Sequence, residues 1–248
     1  MNLAPKIAQL SGVLWRIYKK QYGPLNPPIR QGEPTKNWAR FDVAECATLY
    51  GGANRLTAFL ESFAYFTPET DERISALFDD EAEPISSQWH DNGFLRTGVL
   101  AKQWRDNRNL CAFDAISEEL NLIDIAAAET IGYLRNTAHS WYPLKLKRNL
   151  EIDLSLLTGP DRLVTTAAAN WLARYRFLDG HTADGVTYPS RHGADHSCYA
   201  FWFRMIEYPR LTPEQLVATK FRTISIEGID PWDRDGRTAA RLCGVHYW

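Results

Sequence analysis

The sequence predicts an α+β protein in which short strands and amphipathic helices follow one another without a regular alternation. Short runs rich in β-branched and aromatic residues have the composition of strands: VLWRIY (13–18), GVTYPS (185–190), CYAFWFRMI (198–206) and FRTISIE (221–227). Other stretches place apolar residues at i, i+3, i+4 and i+7, the spacing of a helix with one core-facing stripe. With 248 residues, 45% of them hydrophobic and 23% charged, the chain is long enough to bury a substantial core.

After VLWRIY comes YGPLNPPIRQGEP, with prolines at 24, 27, 28 and 34. That density excludes a helix or a central strand, so this is a long loop, and long loops in folded domains often carry function. WARFDV (38–43) and ATLYGG (47–52) read as two short extended segments. Asn54 suits the cap of the next helix, whose stripe is Leu56, Phe59, Leu60 and Phe63. Taking ~100° per residue, Glu61 points roughly 150° away from the centre of that stripe, on the side of Ala58 and Tyr65. It is therefore not a core charge of the main face and can line a second, wetter surface.

A helix is expected from Pro68 to Phe78, capped by Thr67 and followed by the acidic loop DDEAEP. NLCAFDAI (109–116) and LNLIDIAA (120–127) are apolar runs compatible with either strand or helix. Residues 160–177 read as a helix that starts after Thr158-Gly-Pro, and RHGADHS (191–197) as a loop between two strands. Thr212-Pro-Glu-Gln215 forms a capping box with proline at the first helical position. The tail DPWDRDGRTAARLCGVHYW receives no assignment. No internal repeat or composition shift divides the chain into two domains.

Several function classes are disfavoured. A net charge of −2 provides no global basic field for nucleic acid. SWYPLKLKR (140–148) mixes aromatic and basic residues, but nothing extends it into a stripe, so no direct nucleic-acid binding is expected. The N-terminus has no continuous apolar segment and no run approaches a membrane span, so a soluble cytoplasmic protein is the expectation. Cys46, Cys111, Cys198 and Cys243 are scattered without a C-x-x-C pair, which argues against a structural zinc site or a disulfide framework. His192 and His196 are four apart, but lie in the glycine-containing loop with no glutamate beside the first; no metal is expected there. P-loop, dinucleotide-fold, zincin and nucleophile-elbow signatures are all absent. Residues 1–60 do hold eight Lys/Arg against three Asp/Glu, a local positive excess just before Glu61.

Taken singly, Arg40, Tyr50, Glu61 and Ser190 each have an ordinary structural reading. Taken together with their surroundings they carry a resemblance. WRIY, then RFD, then TLYGGANRLTAFLE, and much later TADGVTYPSRHGADHSCYAFW, resemble the RES domain, a family of toxin-like proteins named for invariant Arg, Glu and Ser residues. EIDLSLLTG and LVTTAAANWLARYR resemble the stretch that leads into the serine strand. The likeness runs from about Leu14 to about Ile206, so the chain reads as a single RES-like domain over 1–248 with N- and C-terminal extensions. Residues 67–110 and the last forty make it longer than a minimal member.

The resemblance implies an ADP-ribosyltransferase-like mixed sheet flanked by helices, with NAD+ as substrate and no metal. It implies cleavage of the nicotinamide–ribose bond by hydrolysis or phosphorolysis. Two other outcomes are transfer of ADP-ribose to a protein, or a lapsed site that senses a nucleotide or binds a partner. The implied partner is a helix-turn-helix (Xre-type) antitoxin that blocks the site. Carried onto this sequence, the catalytic residues are Arg40, Tyr50, Glu61 and Ser190, and the dinucleotide contacts are Arg16, Arg40, Tyr50, Tyr188, Ser190 and Arg191. The chemistry suits these side chains. A guanidinium fork can hold a pyrophosphate, a tyrosine can offer its ring and hydroxyl, and a glutamate can stabilise an oxocarbenium-like transition state. Ser190 is expected to bond the nicotinamide or ribose rather than attack, since no histidine base accompanies it.

Overall fold

The computed structural model describes residues 3–10, 12–35, 38–67, 98–116, 120–143 and 151–247. The helix expected at Pro68–Phe78, the acidic loop after it and residues 144–148 lie outside the described residues. The chain opens with β1 (Ile7–Ala8) and β2 (Leu14–Lys19), passes the proline-rich loop, and forms β3 (Cys46–Gly52) and α1 (Arg55–Phe63). It continues with β4 (Val99–Leu100), α2 (Lys102–Asp106), β5 (Arg108–Ala115) and β6 (Leu122–Asp124). Four helices follow: α3 (Ala128–Asn136), α4 (Ala138–Trp141), α5 (Leu154–Thr158) and α6 (Arg162–Ala173). The remainder is β7 (Gly185–Ser190), β8 (Gly193–Arg204), α7 (Pro213–Ala218), β9 (Phe221–Gly228), α8 (Arg234–Cys243) and β10 (His246–Tyr247).

The α+β class is the one expected. Eight strands form one mixed sheet in the order β1-β6-β7-β8-β3-β2-β5-β9, in which only β6 and β7 run parallel. Local signals worked where they were expected to. Asn54 Oδ1 accepts from Thr57 N at 2.8 Å, and Thr212 with Gln215 closes the capping box of α7. The two ambiguous apolar runs are the strands β5 and β6, and β5 is hydrogen-bonded on both sides, by β2 and β9.

Three readings are corrected, and the unassigned tail finds its place. WARFDV is not extended: it is a turn, closed by Trp38 N to Thr35 O at 3.0 Å and Asp42 N to Ala39 O at 3.3 Å, with Ala39 N bonded to the Asp42 carboxylate at 2.8 Å. A side chain that captures its own backbone has displaced the strand. The helix read over 160–177 covers only Arg162–Ala173, because Arg176 already pairs with Thr182 in a bridge. RHGADHS is largely strand, as β8 begins at Gly193 and the connection is the two residues Arg191 and His192. The unassigned tail forms α8, capped by Asp233, and β10 beside β4.

Strand alternation sorts the core into two faces. Ala47 and Leu49 of β3, Tyr199, Phe201 and Phe203 of β8, and Leu14 and Phe113 pack with Leu216 and Val217 of α7 on one face. The alternate residues Cys46 and Tyr50, Cys198, Ala200 and Trp202, and Val186 and Tyr188 face α3 to α6 on the other. That second face also carries α1, because Gly52 shares the alternation of Cys46 and Tyr50, and a Cβ on Gly52 would lie 2.8 Å from Thr57 Cγ2. Helix α1 packs in turn against α8 and Leu110 in a third cluster. One face thus bears two separate helical groups with a seam between them. At that seam β2 and β3 share a single ladder pair, Trp15 with Gly52.

Gly52 is where α1 meets the sheet, so Gly52→Ala is expected to push the helix off its seat. A Cβ there would also stand 3.1 Å from the backbone N of Ala58, which cannot rotate away. Overpacking of this kind costs about 1–3 kcal/mol. A lowered unfolding midpoint in a denaturant titration is the check, and an unchanged one would show that α1 is not held this closely.

Candidate active site

The seam opens as a cleft of about 470 Å³, within the usual range of small-molecule sites of ~300–1,000 Å³. β2 and β3 line it with Trp15, Arg16, Tyr50 and Gly52; α1 adds Ala58 and Glu61. Tyr188, Arg191, His192 and Cys198 come from the β7–β8 hairpin, Arg40 from the 38–45 turn and Arg162 from the start of α6. Residues distant in sequence are therefore brought to one place, and every expected site residue except Ser190 lines the cavity itself. Ser190 sits just behind, 6% exposed, with its hydroxyl on Glu61.

Glu61 is the centre of the arrangement. Its Oε1 accepts from Ser190 Oγ at 2.7 Å and its Oε2 from Arg40 Nη2 at 2.9 Å. The carboxylate is thereby fixed at both oxygens while its side chain stays 28% exposed toward the cleft. Ser190 reaches it through a register shift at Pro189/Ser190 in the β7–β8 ladder, and its Oγ accepts from the His192 N–H at 3.1 Å. Bulges of this kind re-aim a side chain at the end of a pairing. The serine hydroxyl thus donates to Glu61 and helps to hold the carboxylate in place.

Arg40 is 8% exposed, and each of its terminal nitrogens is engaged: Nη2 with Glu61, and Nη1 with the Thr158 carbonyl at 3.2 Å. Its guanidinium stands 5.1 Å from the centre of the Tyr188 ring, which itself packs on Phe41. Burial draws the Arg40 pKa down, but Tyr188, Glu61, Cys198 and Tyr50 outweigh it, so the net shift is upward. The fork read as a pyrophosphate holder is turned mainly onto Glu61.

The turn that carries Arg40 is held by side chains, since regular pairing does not reach it. Tyr50 OH donates to Asp42 Oδ1 at 2.9 Å and accepts from Phe41 N at 3.0 Å. Trp202 Nε1 donates to Phe41 O at 2.8 Å, Asn170 Oδ1 accepts from Ala44 N at 3.1 Å, and Arg30 pairs with Asp42. Tyr50 therefore presents its ring to the cleft while its hydroxyl braces the turn. Burial, then the nearby Asp42, raises the Tyr50 pKa well above the ordinary phenol value, keeping it a donor. Asp42, Thr158 and Arg30 were not singled out in the sequence; only the fold shows that they converge on Arg40.

Arg16 is half-buried, and its Nη1, itself buried, has no hydrogen-bond partner among the described residues. Burial lowers its pKa to about 10, with Cys111 and Tyr18 acting in the opposite sense. Arg191 lies at the exposed rim with His192. His196 is on β8 and bonds Thr57 Oγ1 through Nδ1 at 3.1 Å. Cys198 is no thiolate: burial, then Glu61, pushes its pKa far up. No cluster of three or more His, Cys, Asp or Glu is placed to hold a metal among the described residues, and none of the described helices is long and apolar enough to cross a membrane.

A family model described as the RES domain matches residues 13–219, most of the chain, and the protein belongs to the RES family. The match continues beyond Ile206 through α7. No curated protein and no solved structure matches the chain.

Two measurements test the brace beneath Arg40. Tyr50→Phe keeps the ring but strips Asp42 Oδ1 and Phe41 N of their partner, and should cost about 1–3 kcal/mol in a denaturant titration. Asp42 gives a pH signature. Burial raises its pKa above 3.8, against the pull of the Ala39 N–H, Arg30 and Tyr50. A raised folded pKa means that the folded state holds the proton more tightly, so its contribution is full below the unfolded pKa and lost as pH rises through the folded one. The stability difference between wild type and Asp42→Asn should therefore shift in favour of wild type as pH falls from neutrality toward 3.8. A shift in the other direction would contradict the burial argument.

Proposed function

We propose that this RES protein binds NAD+ in the cleft and cleaves the nicotinamide–ribose bond, with water or inorganic phosphate as acceptor. The observation that carries the reading is the Glu61 carboxylate, anchored at both oxygens yet facing the cavity. Nicotinamide leaves as a neutral ring and needs no proton, so the main demand is stabilisation of positive charge on the ribose. A negative group held in place before the reaction meets that demand without reorganisation. Ser190 and Arg40 do the holding, and the Tyr50 ring supplies a flat face for the nicotinamide or ribose.

Neither Ser190 nor Cys198 fits a covalent route. The Ser190 proton is directed at Glu61, and the Cys198 thiol is held protonated by burial. The acceptor in this reading comes from solution. An ADP-ribosyltransferase-like placement of the dinucleotide accords with the family resemblance. So do a cytoplasmic substrate pool and a helix-turn-helix antitoxin seated over the cleft mouth.

Purified protein should deplete NAD+ and release nicotinamide, and Glu61→Gln should slow this by about a hundredfold or more while keeping the fold. Products resolved by chromatography distinguish the acceptors: ADP-ribose alone for water, a phosphorylated ADP-ribose that depends on added phosphate for phosphorolysis. Label from NAD+ that ends on protein would replace the reading with a transferase. The absence of both NAD+ loss and protein labelling would overturn it.

A further inference from the structure

Arg16, Arg40, Arg162 and Arg191 line the cleft, and Glu61 is the carboxylate among its described lining residues. The imbalance is not relieved by internal pairing. Arg40 alone of the four has an ion-pair partner among the described residues, while Arg16 and Arg162 each bury an Nη1 that bonds nothing described. A buried donor left unsatisfied calls for an explanation, and in a cleft with four arginines and one described carboxylate an anionic ligand supplies it.

Arg162 is the more telling of the two because of where it stands. It is the first residue of α6, a position where the helix dipole disfavours a cation. The Asp161 side chain already accepts from Leu163 N at 2.9 Å and Val164 N at 3.4 Å, so part of the helix's own donor set is closed. What this end of α6 still offers an anion is the guanidinium. It is also close to the catalytic group: Thr158, four residues earlier, accepts from Arg40 Nη1, which ties the α5–α6 connection to the Arg40–Glu61 pair.

We infer that Arg162 binds the pyrophosphate of the dinucleotide, the part that Arg40, with both terminal nitrogens engaged, leaves open. The inference rests on the reading of the cleft as an NAD+ site and adds to it a residue and a division of labour. Arg40 orients Glu61, and Arg162 holds the phosphates through charge-assisted bonds.

The test compares wild type, Arg162→Gln and Arg162→Lys on two substrates, NAD+ and nicotinamide riboside, which has the scissile bond but no phosphate. Direct binding of ADP-ribose is measured by calorimetry alongside. For Arg162→Gln the KM for NAD+ should rise, and ADP-ribose affinity fall, about tenfold or more, with kcat little changed. Turnover of nicotinamide riboside should match wild type, and Arg162→Lys should recover part of the loss. The unliganded Arg162→Gln protein should unfold at the same or a higher temperature, since a cation has left a helix N-terminus. An equal loss on both substrates, or a lowered midpoint, would make Arg162 a structural residue and overturn the inference. So would unchanged ADP-ribose binding. A wild type that binds ADP-ribose through Arg162 but never consumes NAD+ would sink the enzymatic reading and leave this one standing.

Discussion

A guanidinium more than nine-tenths buried has to be met by negative charge, and in this protein the Arg40–Glu61 pair meets that demand. Much of the cleft's organisation follows from it. Arg40 sits on a turn with no sheet to hold it, so Tyr50, Trp202, Asn170 and Asp42 each bond that turn. Glu61 sits on the side of α1 away from the core stripe, so the helix must lie with that side toward the seam. Breaking a buried pair by removing one partner typically costs ~3–5 kcal/mol, most of it the orphaned charge. The same pair therefore fixes the cleft's geometry and aims the one carboxylate among its described lining residues.

The two helical groups on a single sheet face give the site its location. α3 to α6 cover one half and α1 with α8 the other; neither reaches across. Gly52 lets α1 settle onto β3 at the border, and the single ladder pair between β2 and β3 leaves the floor open beside it. Arg55 secures the α1 side from behind through Glu227 and Asp233, linking α1 to β9 and α8. The C-terminal elements that lie outside the family match thus buttress the helix bearing Glu61.

What could be read in advance was whatever depends on neighbours in sequence. The Asn54 cap, the capping box at Thr212, the stripe of α1 and the outward direction of Glu61 all obey local rules, and the fold kept them. What could not be read depends on distant partners. The strand character of NLCAFDAI comes from pairing with β2 and β9, and the turn at 38–43 from Asp42 bonding its own backbone. The direction of Arg40, onto Glu61 and Thr158, needed both walls of the cleft to be in place. Arg162 did leave a trace: a cation at the first turn of a helix after Pro-Asp, against the dipole, is a local inconsistency of the kind that functional sites produce.

β8 lies between β7 and β3 in the sheet, although β3 was made some 150 residues earlier in the chain. Glu61 and Ser190, which share a hydrogen bond, are 129 positions apart. The residues that line the cleft run from Trp15 to Cys198. During synthesis, Arg40, Tyr50 and Glu61 leave the ribosome long before the hairpin that completes their cleft, so the cleft cannot form until residues beyond Arg204 have emerged. This order of assembly ties whatever the cleft does to the late-made β7–β8 hairpin, which supplies Tyr188, Arg191, His192 and Cys198 to its wall.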